Sequence, residues 1–135
     1  MAGKNKDLLI YIVDDDPIYG RLIRKILYDY DFTNVQMFPS GEECVKNLYK
    51  NPEFIFLDYN MNGLNGLKVL KIIKEYNDET KVVIISAQEK IDIALKAIKL
   101  GAFDYVIKDD FVHKKLKDII ISIIYKSSET KITSI

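Results

Sequence analysis

Five short runs of β-branched and aromatic residues recur along the chain: LLIYIV (8–13), VQMF (35–38), FIFL (54–57), VVIIS (82–86) and DYVI (104–107). Between them the apolar residues change to helical spacing. Ile18, Leu22, Ile23, Ile26 and Leu27 follow the first run at that spacing. After the second run, Ser40 with Glu43 three places on has the form of a capping box. A third helix is predicted from Gly66 to Tyr76, carrying Leu67, Leu70 and Ile73. A fourth runs from about Glu89 to Leu100, with Gly101 placed to stop it. The last runs from Phe111 to about Lys126.

Strand-then-helix units repeated five times predict an α/β fold, a parallel sheet with helices on both faces. Right-handed crossovers divide the helices between those faces, which makes the sheet doubly wound. In such sheets ligands bind beyond the carboxyl ends of the strands. Those ends therefore hold the chemistry. The first strand stops at Asp14–Asp16, the third at Asp58, the fourth at Ser86 and the fifth at Lys108. The second ends at FPSG and offers no charge.

Composition narrows the function classes. Lys+Arg and Asp+Glu stand at 20 each, so no basic excess points to direct nucleic-acid binding. Cys44 is the single cysteine, which excludes an intrachain disulfide and fits a reducing cytoplasm. No apolar run reaches the ~18 residues of a membrane span, and residues 1–7 lack an apolar signal region. His113, the single histidine, reads as a surface residue. The expected organisation is a tail over 1–7, one domain over 8–126 and a polar tail over 127–135.

Asp14, Asp15 and Asp58 on one rim repel each other. Two unit charges ~4 Å apart cost roughly 4 kcal/mol at an effective dielectric of ~20. A divalent cation or protonation must offset this. An oxygen-only donor set suits Mg²⁺ or Mn²⁺. Asp16 before Pro17 has the different pattern of a helix N-cap.

IYIVDDDP, FIFLDYNMNG, IISAQ and AFDYVIK, in this order and at these spacings, resemble the receiver domain of two-component response regulators, of the single-domain kind found among chemotaxis regulators. The resemblance spans residues 8 to about 126 and implies a flavodoxin-like (βα)5 sheet of strand order 2-1-3-4-5. It implies that Asp58 accepts a phosphoryl group from a sensor histidine kinase or phosphotransfer protein. Asp15 would bind the cation directly, Asp14 through water, Asp58 with its carboxylate and Asn60 with its backbone carbonyl. Ser86 and Lys108 would contact the phosphoryl oxygens. Asn60 and Gln88 would tune dephosphorylation, and Ser86 and Tyr105 would act as switch residues. Gly66 would begin a helix close against the sheet. The module would signal rather than catalyse, beyond accepting and slowly losing its own phosphoryl group. Its output partner or effector domain, or a second copy, would dock on the fourth helix, fifth strand and fifth helix.

The chain departs from the family pattern at two places. Asn62 and Asp109 stand where proline is usual. The loop NMNGLNG should then be looser, and the Lys108–Asp109 peptide should be trans, since cis costs ~2.5–4 kcal/mol without proline. Two other readings stay open. One is a receiver-shaped interaction module that takes no phosphate. The other is a haloacid-dehalogenase-type phosphohydrolase using Asp14 and Asp16 in a D-x-D register. By alternation, Phe103, Tyr105 and Ile107 share one side of the fifth strand. On the last helix a stripe centred on Leu116, with Val112, Ile119, Ile120 and Ile123, should be buried. Ile121 and Tyr125 should lie far round it as candidate contact residues.

Overall fold

The structure, a computed structural model, describes residues 7–87 and 91–133, with side chains as far as 123. The strands are β1 (Ile10–Val13), β2 (Val35–Phe38), β3 (Phe54–Asp58), β4 (Lys81–Ser86) and β5 (Asp104–Ile107). The helices are α1 (Pro17–Asp29), α2 (Gly41–Lys46), α3 (Gly66–Tyr76), α4 (Ile91–Lys99) and α5 (Val112–Thr133). A 3₁₀ turn, Leu48–Lys50, follows α2. The strands form one parallel sheet in the order β2-β1-β3-β4-β5, the expected doubly wound arrangement.

Strand alternation divides the core into two layers. Ile10, Ile12, Phe54, Phe56, Val83, Ile85 and Val106 face α1 and α5, where they meet Ile23, Ile26, Leu27, Leu116 and Ile120. Tyr11, Val13, Ile55, Leu57, Val82 and Ile84 face the other way, onto Cys44, Leu48, Val69, Leu70, Ile73 and Ala97. Strands buried on both sides have no polar face to show, which explains their nearly continuous apolar sequences. The predicted stripe of α5 is buried as expected, from Val112 through Ile123. Its backbone stays helical to Thr133, past the expected end near Lys126, because neither glycine nor proline interrupts it.

Helix ends follow the local chemistry. Asp16 caps α1 by accepting from the Ile18 N–H at 3.0 Å, with Pro17 at the first helical position. Ser40 caps α2 through the Glu43 N–H, and Asn65 caps α3 through the Lys68 N–H. Gly101, at φ +99°, closes α4 as foreseen: its N–H donates to Ile98 and the Ala102 N–H to Ala97, the paired bonds of a Schellman motif.

Two expectations need correction. Ile18 is not part of the buried face of α1; it is 73% exposed. At about 100° per residue Ile18 points away from Gly20, Ile23 and Leu27, which form the buried face of α1. Nor does Phe103 share a side with Tyr105. Phe103 precedes β5 on a bend, outside the strand's alternation, and packs edge-on against Phe54 in the α1/α5 layer, while Tyr105 packs in the other layer.

Gly66 joins the fold to the rim. Its N–H donates to the Tyr59 carbonyl at 3.1 Å, and an added Cβ would stand 2.7 Å from Tyr59 Cα and 3.0 Å from the Asp58 carbonyl oxygen. Backbone cannot yield as a side chain can. Gly66→Ala is expected to lower the urea-unfolding free energy by about 1–3 kcal/mol. Gly20→Ala, whose Cβ would meet the flexible end of Met37, should stay within about 1 kcal/mol of the parent because alanine also favours the helix. Equal losses in the two variants would show that the Gly66 contact is not what limits substitution.

Candidate functional site: an acidic pocket at the strand ends

Register brings the predicted residues together. Val13 pairs with Leu57, and Leu57 with Ile84, so Asp14 and Asp58 stand side by side one step on. Asp58 pairs with Ile85, and Ser86 with Ile107. The Lys108 N–H donates to the Ser86 carbonyl at 2.8 Å. Alternation then sets direction. Asp14 continues the series Ile10–Ile12, Asp58 continues Phe54–Phe56, and Lys108 continues Val106, all toward the α1/α5 side.

Asp14 and Asp58 are buried, and Asp15 is exposed at the mouth. A carboxylate oxygen from each of the three lies within 4.8 Å of the others. Lys108 enters between the two buried acids: its Nζ is 3.2 Å from Asp14 Oδ2 and 3.4 Å from Asp58 Oδ1. Each buried acid also folds back on its own loop. Asp14 Oδ1 accepts from the Asp16 N–H at 2.8 Å, and Asp58 Oδ1 from the Asn60 N–H at 3.2 Å. These turns fix both carboxylates before any ligand arrives.

Burial pushes the Asp58 carboxyl up to about 6, with the Asp14 charge adding to it; Lys108 and the Asn60 N–H pull the other way. For Lys108, burial disfavours the charged form, but Asp14 and Asp58 outweigh it and raise the ammonium above the ordinary lysine range. Three carboxylates against one ammonium leave a surplus of negative charge when all are ionised. Hard oxygen donors with that surplus fit a divalent cation such as Mg²⁺.

Ser86 is fully buried, and its hydroxyl donates to Asn60 Oδ1 at 3.3 Å. The side chain of Asn60 thus rests against the hydroxyl residue. Tyr105 is half-buried on the sheet face away from α1, so it lies near the rim without joining the carboxylates. Gln88 lies outside the described residues. Asp16, the second acid of the D-x-D register, caps α1. The Lys108–Asp109 peptide is trans. Asp109 starts the approach to α5, its carboxylate accepting from the Phe111 N–H at 2.8 Å.

One neighbour was not anticipated. The Lys108 ammonium sits over the Tyr19 ring, 4.2 Å from its centroid. The available signal was position, since Tyr19 lies in the first turn of the helix that directly follows the acids.

Residues 10–121 match the family described as response regulator receiver domain. The chain belongs to that family. Among bacterial relatives of the receiver domain, it is 32% identical over 108 residues to the chemotaxis protein CheY-3 of Vibrio cholerae, covering 77% of this chain and 82% of that protein. It is also 32% identical over 101 residues to the transcriptional regulatory protein MalR of Bacillus subtilis, covering 73% of this chain but only 43% of MalR. A CheX–CheY–BeF3–Mg²⁺ complex from Borrelia burgdorferi superposes with a TM-score of 0.78 at 26% identity, covering 87% of this chain and 89% of that one. Receiver domains are signalling modules of two-component systems rather than enzymes. They bind Mg²⁺ in this acidic site and work with histidine kinases and output partners.

The raised Asp58 pKa has a consequence for the metal-free receiver. The folded state holds the Asp58 proton more tightly than the unfolded chain does. Stability from this group therefore falls as pH rises from about 4 through about 6. In EDTA at pH 7, Asp58→Asn is expected to be more stable than the parent by roughly 1–3 kcal/mol. The gain should shrink toward zero as pH falls to about 4. Urea titrations at the two pH values check this; a gain of equal size at both would assign it to something other than charge.

Proposed function

We propose that this receiver domain takes a phosphoryl group onto Asp58 from a sensor histidine kinase or a phosphotransfer protein. The observation that carries the reading is a buried carboxylate, Asp58, whose Oδ1 is met by the Lys108 ammonium at 3.4 Å. A carboxylate oxygen of Asp58 attacks phosphorus, the P–N bond to the donor imidazole breaks, and an acyl phosphate forms. Lys108 moves from the carboxylates to the phosphoryl oxygens. Asp14, Asp15, Asp58 and the backbone carbonyl of Asn60 would hold Mg²⁺, or Mn²⁺. When bound, the ion offsets negative charge on the carboxylates and the phosphoryl group.

Phosphate brings a charge of about −1.5 to −2 and strong acceptors. Ser86 leaves Asn60 to donate to a phosphoryl oxygen, and Tyr105 follows as the switch aromatic. Asn60 and Gln88 set how readily water attacks. The change reaches a docking face on α4, β5 and α5, which takes an output partner, an effector domain or a second copy. Exposed apolar side chains on α4 support this: Ile91, Leu95 and Ile98 are all more than half exposed, spaced along one side of the helix. On α5, Ile121 is half-buried, a weaker candidate than α4 supplies, and the Tyr125 side chain lies outside the described residues. The phosphoryl-accepting unit is the span 8–126. Its place is the cytoplasm; no helix among the described residues is long and apolar enough to cross a membrane.

Incubation with acetyl phosphate and Mg²⁺, followed by intact mass, tests the reading. The parent should gain one phosphoryl group and Asp58→Asn none; a phosphorylated Asp58→Asn protein would refute the acceptor assignment. Asp15→Ala should lose most Mg²⁺ affinity in a fluorescence or calorimetric titration, whereas Asp16→Ala, which removes a helix cap, should keep it. Equal losses would overturn the ligand order. For the docking face, a Leu95→Glu, Ile98→Glu double variant should take up phosphate normally. In sedimentation it should lose any association that phosphorylation induces in the parent. A phosphorylated parent that stays monomeric would remove self-association and leave a heterologous partner.

A further inference from the structure

We propose that Tyr19 is a positioning residue for Lys108, its ring face holding the ammonium in the space between Asp14 and Asp58. The inference rests on the phosphoryl-acceptor reading for its consequence, but its geometry stands apart. Lys108 Nζ lies 4.2 Å from the Tyr19 ring centroid, 3.2 Å from Asp14 Oδ2 and 3.4 Å from Asp58 Oδ1. Its side chain is 11% exposed, so the cation–π contact is largely shielded from water, where such contacts are strongest.

Lys108 needs such a guide. Its backbone is fixed: its N–H donates to Ser86, and the Asp109 N–H turns back to the Ile107 carbonyl at 2.9 Å. The four-carbon stem beyond is flexible, with a compact charge at its tip. Asp109 does not steer that tip, because its carboxylate is engaged with the Phe111 N–H. Two carboxylates attract the ammonium without confining it, since each has two oxygens and Asp15 stands near at the mouth. The Tyr19 ring supplies a wall on the α1 side. That wall is itself anchored: the Asp14 carboxylate binds the Asp16 N–H, Asp16 caps α1, and Pro17 fixes the first helical position. One segment, residues 14–19, thus supplies both an acid and a ring face to the same ammonium.

The plain alternative is apolar packing, since Tyr19 also touches the α1/α5 layer. Three variants and one spectroscopic signature separate the two. In ¹H–¹³C spectra of the parent, the Lys108 Cε protons, identified by their loss in Lys108→Gln, should be shifted upfield by the ring. Tyr19→Phe should keep that shift and accept phosphate from acetyl phosphate and Mg²⁺ within about twofold of the parent. Tyr19→Leu should lose the shift and accept phosphate about three- to tenfold more slowly, with Tyr19→Met the substitute if the leucine variant folds poorly. Absence of the ring-current shift in the parent overturns the proposal, as does a leucine or methionine variant that matches the parent rate while still phosphorylated on Asp58. Equal slowing in Tyr19→Phe would transfer the effect to the hydroxyl and also overturn it. If the parent takes no phosphate at all, the acceptor reading fails, and the ring-current signature alone decides the role of Tyr19.

Discussion

The Lys108 ammonium lies between two buried carboxylates, Asp14 at 3.2 Å and Asp58 at 3.4 Å, and that contact draws together three strand ends. Burying one unpaired carboxylate is costly, and burying two side by side more so. The fold meets this with the ammonium of the residue just past β5, two loop N–H groups and an open mouth at Asp15. The register of the sheet makes the meeting possible. Shifting β3 by one residue would turn Asp58 into the opposite layer and bring Leu57 to the rim side of the α1/α5 face.

Such a pocket works against stability and so needs a rigid frame. The frame is two apolar layers on a sheet whose strands are buried on both faces. Where the loop after Asp58 returns toward the sheet, Gly66 lets α3 start against the backbone of Tyr59. The loop between, rich in Asn and Gly, is anchored at both ends, by the Asn60 N–H on Asp58 and the Gly66 N–H on Tyr59. The resulting site is preformed around Asp58 yet retains the unbalanced negative charge that a divalent cation would relieve.

Signalling requires the pocket to be felt elsewhere. Ser86 ends β4 in contact with Asn60, two residues past Asp58, and α4 is the next helix along the chain. Its exposed Ile91, Leu95 and Ile98 lie on the surface that follows this strand end. On the proposed switch, a displaced Ser86 would act just before the helix carrying the most exposed apolar side chains among the described helices. The hydroxyl and the surface belong to successive elements, β4 and α4.

The sequence by itself determined the elements, their order and the residues at the rim. Strands buried on both faces must be apolar throughout, caps need particular side chains, and in a parallel α/β sheet the chemistry gathers at the carboxyl ends; each leaves a local trace. Asp14, Asp15, Asp58, Ser86 and Lys108 were legible for that reason, as was the buried stripe of α5. The roles proposed for Asn60 and Tyr105 rest on family resemblance rather than pattern. Tertiary structure decided what periodicity cannot carry. It turned Phe103 away from Tyr105 because the chain bends before β5 begins. It also placed Lys108 between Asp14 and Asp58 with the Tyr19 ring over it. Such contacts join residues up to 94 apart in the chain, and their geometry depends on strand register and helix placement, which no local run of residues encodes.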